Sequence, residues 1–240
     1  MVGWQEYLWE GFTEAIHLIV TGDPELVETT IRSLQVSFYA ILLASIIGVP
    51  LGVLIGMNEF RGKRLLKSIF TTFIGMPTVA LGLFLFLLLA RNGPFGYFGL
   101  LYTVQGISIG EALLVIPIIV SFTTSAIESR DIRLRDLART LGGSELDTSI
   151  IVLRESSEAI VLSIVAAFNR AFAELGIALM IGGNIWGLTR VLTTSISLET
   201  AMGEIPLSIA FSIILMIVVF TLTIITGNVG ALVNTLKRDT

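Results

Sequence analysis

Residues 34–57 read LQVSFYAILLASIIGVPLGVLIGM, a stretch of 24 residues without a charged side chain. A helix needs about 20 apolar residues to cross about 30 Å of hydrocarbon, so this stretch is long enough to span a bilayer. The whole chain has the same character, because 54% of its 240 residues are hydrophobic and 14% are charged. A soluble domain has about 25% charged residues. The sequence therefore predicts an integral membrane protein.

Four further stretches extend this prediction to a bundle of helices. Three are similarly apolar, at 68–90, 104–127 and 205–233. The fourth, at 159–181, is interrupted by Asn169, Arg170 and Glu174. We expect an all-α, polytopic membrane bundle of about five transmembrane helices. It forms a single membrane domain at 23–236, followed by a cytoplasmic tail at 237–240.

The first 22 residues predict an amphipathic helix on the outer membrane surface. Its apolar residues recur near helical spacing, with Glu6, Glu10 and Glu14 between them. The apolar positions are Trp4, Leu8, Phe12, Ala15, Ile16 and Ile19. Asp23 and Pro24 then have the residue types preferred at the N-cap and at the first position of a helix. We expect a second helix to begin there and to continue into the first span.

Positive charge is concentrated in three connecting segments. Of the 15 Lys and Arg residues, 11 lie within 61–67, 130–154 and 237–238. Basic residues near the ends of spans are retained on the cytoplasmic side. This asymmetry predicts a multi-pass protein with its N-terminus outside and its C-terminus in the cytoplasm.

The residues of common catalytic and metal sites are scarce. The chain contains no cysteine and one histidine, His17, so we expect neither a thiolate nor a histidine metal cluster. It also lacks a phosphate-binding loop, a dinucleotide fingerprint and a nucleophile elbow. We therefore expect a chain that is not an enzyme, holds no cofactor or metal and binds no nucleic acid.

The segment 129–156 is charged but has the pattern of helices. Its apolar residues follow helical spacing: Ile132, Leu134, Leu137, Ala138 and Leu141. Arginines lie between them. Gly142 and Gly143 predict the end of a short helix. Ser144, with Asp147 three residues later, predicts the cap of a second helix. We expect a helix–glycine–helix knob that faces the cytoplasm.

This segment resembles the cytoplasmic loop of ABC importer permeases, in which Glu-Ala-Ala is followed by three residues, Gly, nine residues and Ile-x-Leu-Pro. Here Asp136, Leu137 and Ala138 occupy the first three positions, Gly142 the glycine and Val152 the later aliphatic position. Arg154 and Glu155 replace the usual Leu-Pro. In that family the loop docks into a separate ATPase subunit. The resemblance implies the docking residues Asp136, Leu137, Ala138, Leu141, Gly142, Gly143 and Ser144.

Two longer stretches resemble the oxyanion permeases of this family. Residues 59–96, EFRGKRLLKSIFTTFIGMPTVALGLFLFLLLARNGPFG, are similar to molybdate and tungstate permeases. Residues 168–204, FNRAFAELGIALMIGGNIWGLTRVLTTSISLETAMGE, are closer to tungstate permeases. The resemblance implies type I ABC importer architecture in a prokaryotic inner membrane. It also implies a homodimer, two ATPase subunits that hold ATP and Mg, and an extracytoplasmic oxyanion-binding protein.

Three alternatives to tungstate import remain. The first is molybdate or sulfate import by the same machinery. The second is an ATP-independent secondary transporter or channel, which predicts an inverted internal repeat that we do not find in the sequence. The third is an inert membrane scaffold, in which Asp136 and Gly142 are replaceable without loss of function.

Polar residues within or beside the spans predict two parts of a translocation pathway. Arg170 and Glu174 are four residues apart, so on one helix they share a face; with Asn169 they form either a packing pair or a polar gate. The second group has one cation and hydroxyl donors, suited to weak, multi-site anion binding, or else it is a polar surface helix. It consists of Arg190, Thr193, Thr194, Ser195 and Ser197. Glu111 would repel an anion, so we expect it to be buried against a donor or turned away from the path.

Overall fold

The computed structural model describes the backbone of residues 4–140 and 145–238 and the side chains of residues 9–129 and 150–226. Every regular element in these ranges is helical, which confirms the all-α fold. The described residues form eight α-helices: α1 (Trp4–Thr21), α2 (Pro24–Met57), α3 (Lys63–Ile74), α4 (Thr78–Leu89), α5 (Val104–Thr140), α6 (Glu145–Phe172), α7 (Leu192–Met202) and α8 (Ile205–Arg238). A 3₁₀ helix at Gly96–Phe98 precedes α5, and a π-helix at Ala178–Gly182 precedes α7.

Three helical stretches are long and apolar enough to cross a membrane: Pro24–Met57, Val104–Ser129 and Ile205–Thr226. The pair α3 and α4 gives a fourth candidate, which is bent. The span predicted at 68–90 is therefore a bent pair of helices, and its bounds are those of α3 and α4. Pro77 lacks an amide hydrogen and disfavours helical geometry at the residue before it, so the helix ends at Ile74 and resumes at Thr78.

The predicted fifth span, at 159–181, is also wrong in its bounds. Helix α6 ends at Phe172, and among the described residues it is not one of the candidate spans. The Glu174 carboxylate accepts a hydrogen bond from the Ile177 amide at 3.2 Å. Because this bond satisfies an amide at the start of the next helical turn, Glu174 marks a new beginning rather than a continuation of α6.

The junction of α1 and α2 follows the sequence prediction. Asp23 Oδ1 accepts hydrogen bonds from the amides of Glu25 at 2.9 Å and Leu26 at 3.2 Å. Pro24 is the first residue of α2, which continues without a break to Met57. The predicted N-cap and the extension of this helix into the first span are confirmed.

The chain divides into two compact units. The first comprises Met1–Ala40, Pro77–Glu111 and Phe172–Thr221. The second comprises Ile41–Met76, Ala112–Ala171 and Leu222–Thr240. Helices α2, α5 and α8 each contribute residues to both units, so both units are assembled from segments far apart in sequence.

In the first unit, a small apolar core brings together α2, α5, the π-helix and the start of α7. Its buried members are Val36, Ile107, Ala178 and Val191. The Tyr102 amide donates to the Ile181 carbonyl at 2.8 Å, which fixes the start of α5 beside the π-helix. This packing holds in place the polar segment that leads into α7.

In the second unit, a glycine stripe allows α2 to pack closely against α5. Gly48, Gly52 and Gly56 recur every four residues on α2. A Cβ atom at Gly52 would lie 2.6 Å from the Cβ of Thr123, which is closer than packed atoms approach. The Thr124 hydroxyl donates to the Gly52 carbonyl at 3.1 Å. Small residues at this spacing are a common means of close helix packing in membranes.

Candidate functional site

The predicted ATPase-docking segment begins on α5 itself. This helix runs without interruption from Val104 to Thr140, so the separate short helix expected at 132–141 is, as far as Thr140, the C-terminal extension of α5. Asp136, Leu137 and Ala138 lie on this extension, and their side chains are outside the described residues. Leu141, Gly142, Gly143 and Ser144 are also outside the described residues. The role of all seven in docking stays a prediction.

The second helix of the docking segment is α6, which begins at Glu145. Val152, the aliphatic position of the family pattern, is fully buried. The Ser156 hydroxyl donates to the carbonyl of Ala126 on α5 at 3.5 Å. Helix α6 is therefore joined to α5 just before the charged extension of α5 begins.

An ion-pair cluster lies at the same level of α5. Glu128 pairs with both Lys63 and Lys67 of α3, and Lys63 also pairs with Glu59 at 2.7 Å. The Lys63 side chain is 9% exposed although it carries a charge. Sequence analysis counted these lysines only as positive charge, because nothing in the local pattern connects residue 63 with residue 128.

The predicted pair of Arg170 and Glu174 does not share a helix face. Arg170 lies in the last turn of α6, whereas Glu174 follows the end of that helix. The spacing argument for this pair is therefore wrong, since it requires one continuous helix. In the second unit, Asn169 Nδ2 donates to Thr223 Oγ1 of α8 at 2.8 Å. A pathway role for these three residues stays a prediction.

Arg190 is the centre of a charged cluster in the first unit. Its guanidinium donates to Glu25 Oε1 of α2 at 2.9 Å and lies 3.6 Å from Glu199 Oε1 of α7. Arg32 of α2 donates to the Arg190 carbonyl at 3.2 Å and pairs with Glu28. The segment before α7 is thereby tied to the N-terminal part of α2 by charge.

Two of the four hydroxyls of the predicted anion pathway are engaged in this segment's own structure. Thr193 Oγ1 donates to the Glu174 carbonyl at 2.7 Å, and Thr194 Oγ1 donates to the Val191 carbonyl at 3.0 Å. Thr194 and Ser195 are fully buried. Within the described residues, Arg190 Nε and Ser195 Oγ are buried polar atoms without a hydrogen-bond partner. These two atoms are buried donors of the group that the structure leaves unpaired, and Ser197 is exposed.

Two carboxylates of the first unit are held in different ways. Glu111 is buried and accepts a hydrogen bond from the Ser37 hydroxyl at 3.5 Å, which confirms the expectation of a buried carboxylate against a donor. Glu199 has a side chain that is 4% exposed. Burial raises the pKa of Glu199 above its ordinary value, the Glu25 and Glu204 charges add to this effect, and Arg190 opposes it.

Sequence analysis missed Glu25, Glu199 and Arg32 as members of the Arg190 cluster. Glu25 and Arg190 are separated by 165 positions, so no local pattern relates them. The signal that was available is Arg190 itself, because a lone cation in a polar, weakly charged segment requires a partner. The glycine stripe of α2 was visible as a repeat of four residues.

These features define a polytopic helical membrane protein in which apolar helices carry a few paired charges. The sequence model of the binding-protein-dependent transport system inner membrane components matches residues 48–234. The chain belongs to this family. Its members are membrane components of transport systems, which agrees with the expectation of a permease.

Curated relatives extend over nearly the whole chain. The tungstate uptake system permease protein TupB of Peptoclostridium acidaminophilum is 36% identical over 90% of this chain and 95% of its own length. TupB of Campylobacter jejuni is also 36% identical, over 92% of each chain. A probable anion ABC transporter permease of Haloferax volcanii is 38% identical over 81% of this chain and 86% of its own. The molybdenum transport permease ModB of Escherichia coli is 29% identical over 78% of this chain and 85% of its own.

A solved structure shares the fold. The inward-facing MetNI methionine ABC transporter contains a chain that superposes with a TM-score of 0.68, covering 87% of this chain and 96% of its own. The two sequences are 16% identical, so the likeness is one of fold. The expected helical fold is confirmed.

Proposed function

We propose that this chain is the permease subunit of an ABC importer that moves tungstate into the cytoplasm. The observation that carries the proposal is the 36% identity to two tungstate uptake permeases over 90% and 92% of the chain. The match of residues 168–204 to tungstate permeases, made on the sequence alone, points to the same substrate. Molybdate is the second candidate, favoured by the 29% identity to a molybdenum permease.

The proposed machine is a homodimer of this chain with two ATPase subunits and an extracytoplasmic oxyanion-binding protein. ATP and Mg are held by the ATPase subunits, so this chain contributes no nucleotide chemistry. The extension of α5 beyond the apolar stretch 104–127 supports a docking role, because it continues a candidate span as a charged helix. The proposed orientation has the N-terminus outside and the C-terminus in the cytoplasm.

In this proposal, closure of the ATPase dimer on ATP draws the two docking segments together. The pathway then opens to the loaded binding protein and resets after hydrolysis, so each ligand biases one of two states. Arg170 and Arg190 are the proposed cationic positions of the path. A guanidinium offers two parallel hydrogen bonds to an oxyanion, which fits a tetrahedral dianion.

The test is ATP hydrolysis by the reconstituted complex of this chain, its ATPase and its binding protein. Tungstate, molybdate and sulfate are compared over one concentration series. Stimulation by tungstate at concentrations well below those of the other two anions is expected. Equal responses to the three anions contradict tungstate as the substrate, and failure of this chain to bind any ATPase contradicts the importer.

A further inference from the structure

Glu128 of α5 is bound by two lysines of α3. Lys63 Nζ lies 3.1 Å from Glu128 Oε1, and Lys67 Nζ pairs with Glu128 Oε2. Lys63 and Lys67 are four residues apart, so both ammonium groups lie on one face of α3. The carboxylate therefore joins α3 to α5 through both of its oxygens.

This ion-pair cluster is more tightly held than a surface salt bridge. The Lys63 side chain is 9% exposed, and its Nζ also donates to the carbonyl of Gly56, in the last turn of α2, at 3.5 Å. The Glu128 side chain is 28% exposed. Lys63 is the buried member of the cluster, whereas Lys67 is 38% exposed. Removing Glu128 would leave the buried Lys63 charge with Glu59, an exposed residue, so the pairing favours one arrangement of α3 against α5.

Two other helices contact α5 within the same turn. The Ser156 hydroxyl of α6 donates to the Ala126 carbonyl at 3.5 Å. A Cβ atom at Gly56 of α2 would lie 2.9 Å from the Cβ of Ile127, which shows how closely these helices pack. Residues 126–128 are thus the level at which α2, α3 and α6 are all joined to α5.

The docking extension, which is the charged C-terminal part of α5 from residue 129 to Thr140, follows this level directly along the helix. Helix α5 continues from Glu128 to Thr140 without a break. Asp136 follows Glu128 by eight residues, or about 12 Å at 1.5 Å per residue. Because an unbroken helix moves as a rod, a displacement of the extension reaches Glu128 directly.

We propose that Glu128 is a positioning residue of the transport cycle, which fixes the base of the docking extension to α3 through Lys63 and Lys67. A movement that the ATPase imposes on the extension is then passed to α3 instead of being lost by rotation of α5 at its base. This inference rests on the proposed function. It adds a residue outside the docking segment to the coupling of ATP hydrolysis and transport.

The experiment measures uptake and ATP hydrolysis by the complete complex in vesicles, with and without loaded binding protein. Glu128→Gln keeps the shape of the side chain and removes its charge. We expect this variant to assemble with the ATPase and to hydrolyse ATP. The stimulation by loaded binding protein, and the anion moved per ATP, are expected to fall about fivefold or more, as for the loss of a coupling contact.

Glu59→Gln is the matched control. Glu59 pairs with the same Lys63 at 2.7 Å, but its side chain is 85% exposed and the pair does not reach α5. The control is expected to couple like the wild type. Glu128→Asp keeps the charge in a shorter side chain and is expected to restore most of the coupling. If Glu128 were needed only for its volume, Gln would restore coupling better than Asp.

Two results overturn the inference. One is a Glu128→Gln complex that assembles and couples as well as Glu59→Gln. The other is loss of assembly in Glu128→Gln together with unchanged coupling in Lys67→Gln, because the carboxylate would then be needed only for folding. A wild-type complex without ATP-driven uptake of tungstate, molybdate or sulfate contradicts the proposed function itself, so the two failures are distinct.

Discussion

The largely buried cations Arg190 and Lys63 of this apolar chain are held by opposite charges. Arg190 lies between Glu25 and Glu199, and Glu128 lies between Lys63 and Lys67. A buried charge without a partner is costly, so each of these residues depends on the others. The sequence identified Arg170 and Arg190 as unusual but not their surroundings, because the partners come from helices distant in sequence.

Glu199 gives a prediction for pH dependence. Burial raises the pKa of Glu199, so the folded state binds its proton more tightly than the unfolded state does. Its stabilising contribution is complete below the ordinary pKa of a glutamate and is lost as pH rises through the raised pKa. Glu199→Gln, which resembles the protonated form, is expected to remove this loss. The measurement is the melting temperature of the purified chain between pH 4 and pH 8.

Glu10→Gln is the control for this measurement, because Glu10 is exposed and is not among the charges that act on Glu199. It is expected to keep the decrease in melting temperature with pH that the wild type shows. Equal pH profiles for the wild type and Glu199→Gln would contradict the assignment of this decrease to Glu199.

Arg170 gives a prediction for transport. Arg170→Ala removes a proposed cationic position of the pathway and is expected to lower uptake about tenfold or more while the complex still assembles. Arg170→Lys keeps the charge without the forked hydrogen bonds and should retain part of the uptake. Normal uptake by the double variant Arg170→Ala, Glu174→Ala would show that these residues serve packing alone.

At the scale of elements, helix ends were predicted well where a capping residue marks them and poorly where tertiary contacts decide. Asp23 and Pro24 predicted the start of α2. The hydrogen bonds that Asp23 Oδ1 accepts from the Glu25 and Leu26 amides confirm that Asp23 caps the helix. Pro77 lies within the apolar stretch 68–90, and the continuity of apolar residues around it gave no sign of the break between α3 and α4. The end of α6 at Phe172 had no comparable signal, since it depends on the contacts of Glu174 with Ile177 and Thr193.

The packing of α2 against α5 gives a prediction for stability. Gly52→Ala places a methyl group 2.6 Å from the Cβ of Thr123 and 3.0 Å from the Val120 carbonyl. Overpacking of this kind costs about 1–3 kcal/mol, which corresponds to a fall in melting temperature of about 2–10 °C. Gly75→Ala is the control, because its methyl group would meet only the Thr72 carbonyl at 3.6 Å. An unchanged melting temperature of Gly52→Ala would show that α2 and α5 are not packed this closely.

The docking segment gives a prediction for assembly. Gly142→Leu is expected to leave the chain inserted in the membrane and to reduce co-purification of the ATPase by about tenfold, as for the loss of a central interface residue. Ser157→Leu adds the same side chain at an exposed position of α6 beyond the docking segment and should have little effect. A Gly142→Leu complex with normal assembly and uptake would contradict the docking assignment.

At the scale of the whole molecule, composition predicted the membrane class, and the resemblance of segment 129–156 and of residues 59–96 and 168–204 to known permeases predicted the family. Both statements depend on sums over many residues, so an error at one helix end does not change them. The number of spans was less predictable. By length and composition the described residues give three spans, or four with the bent pair, where about five were expected, because a broken helix and a charged helix both depart from the simple pattern.

The proposed orientation in the membrane is open to a direct test, because the natural chain has no cysteine and a single introduced thiol is unique. Glu10→Cys and Tyr97→Cys place thiols at exposed positions of the segments proposed to lie outside, and Arg64→Cys places one in a basic segment proposed to face the cytoplasm. In intact cells, a thiol reagent that does not cross membranes is expected to label the first two variants. Arg64→Cys should react only after the membrane is opened. Its labelling in opened cells is the control that shows the thiol to be reactive. Labelling of Arg64→Cys alone in intact cells would contradict the proposed orientation and support the opposite one. The extension of α5 would then face away from any cytoplasmic ATPase.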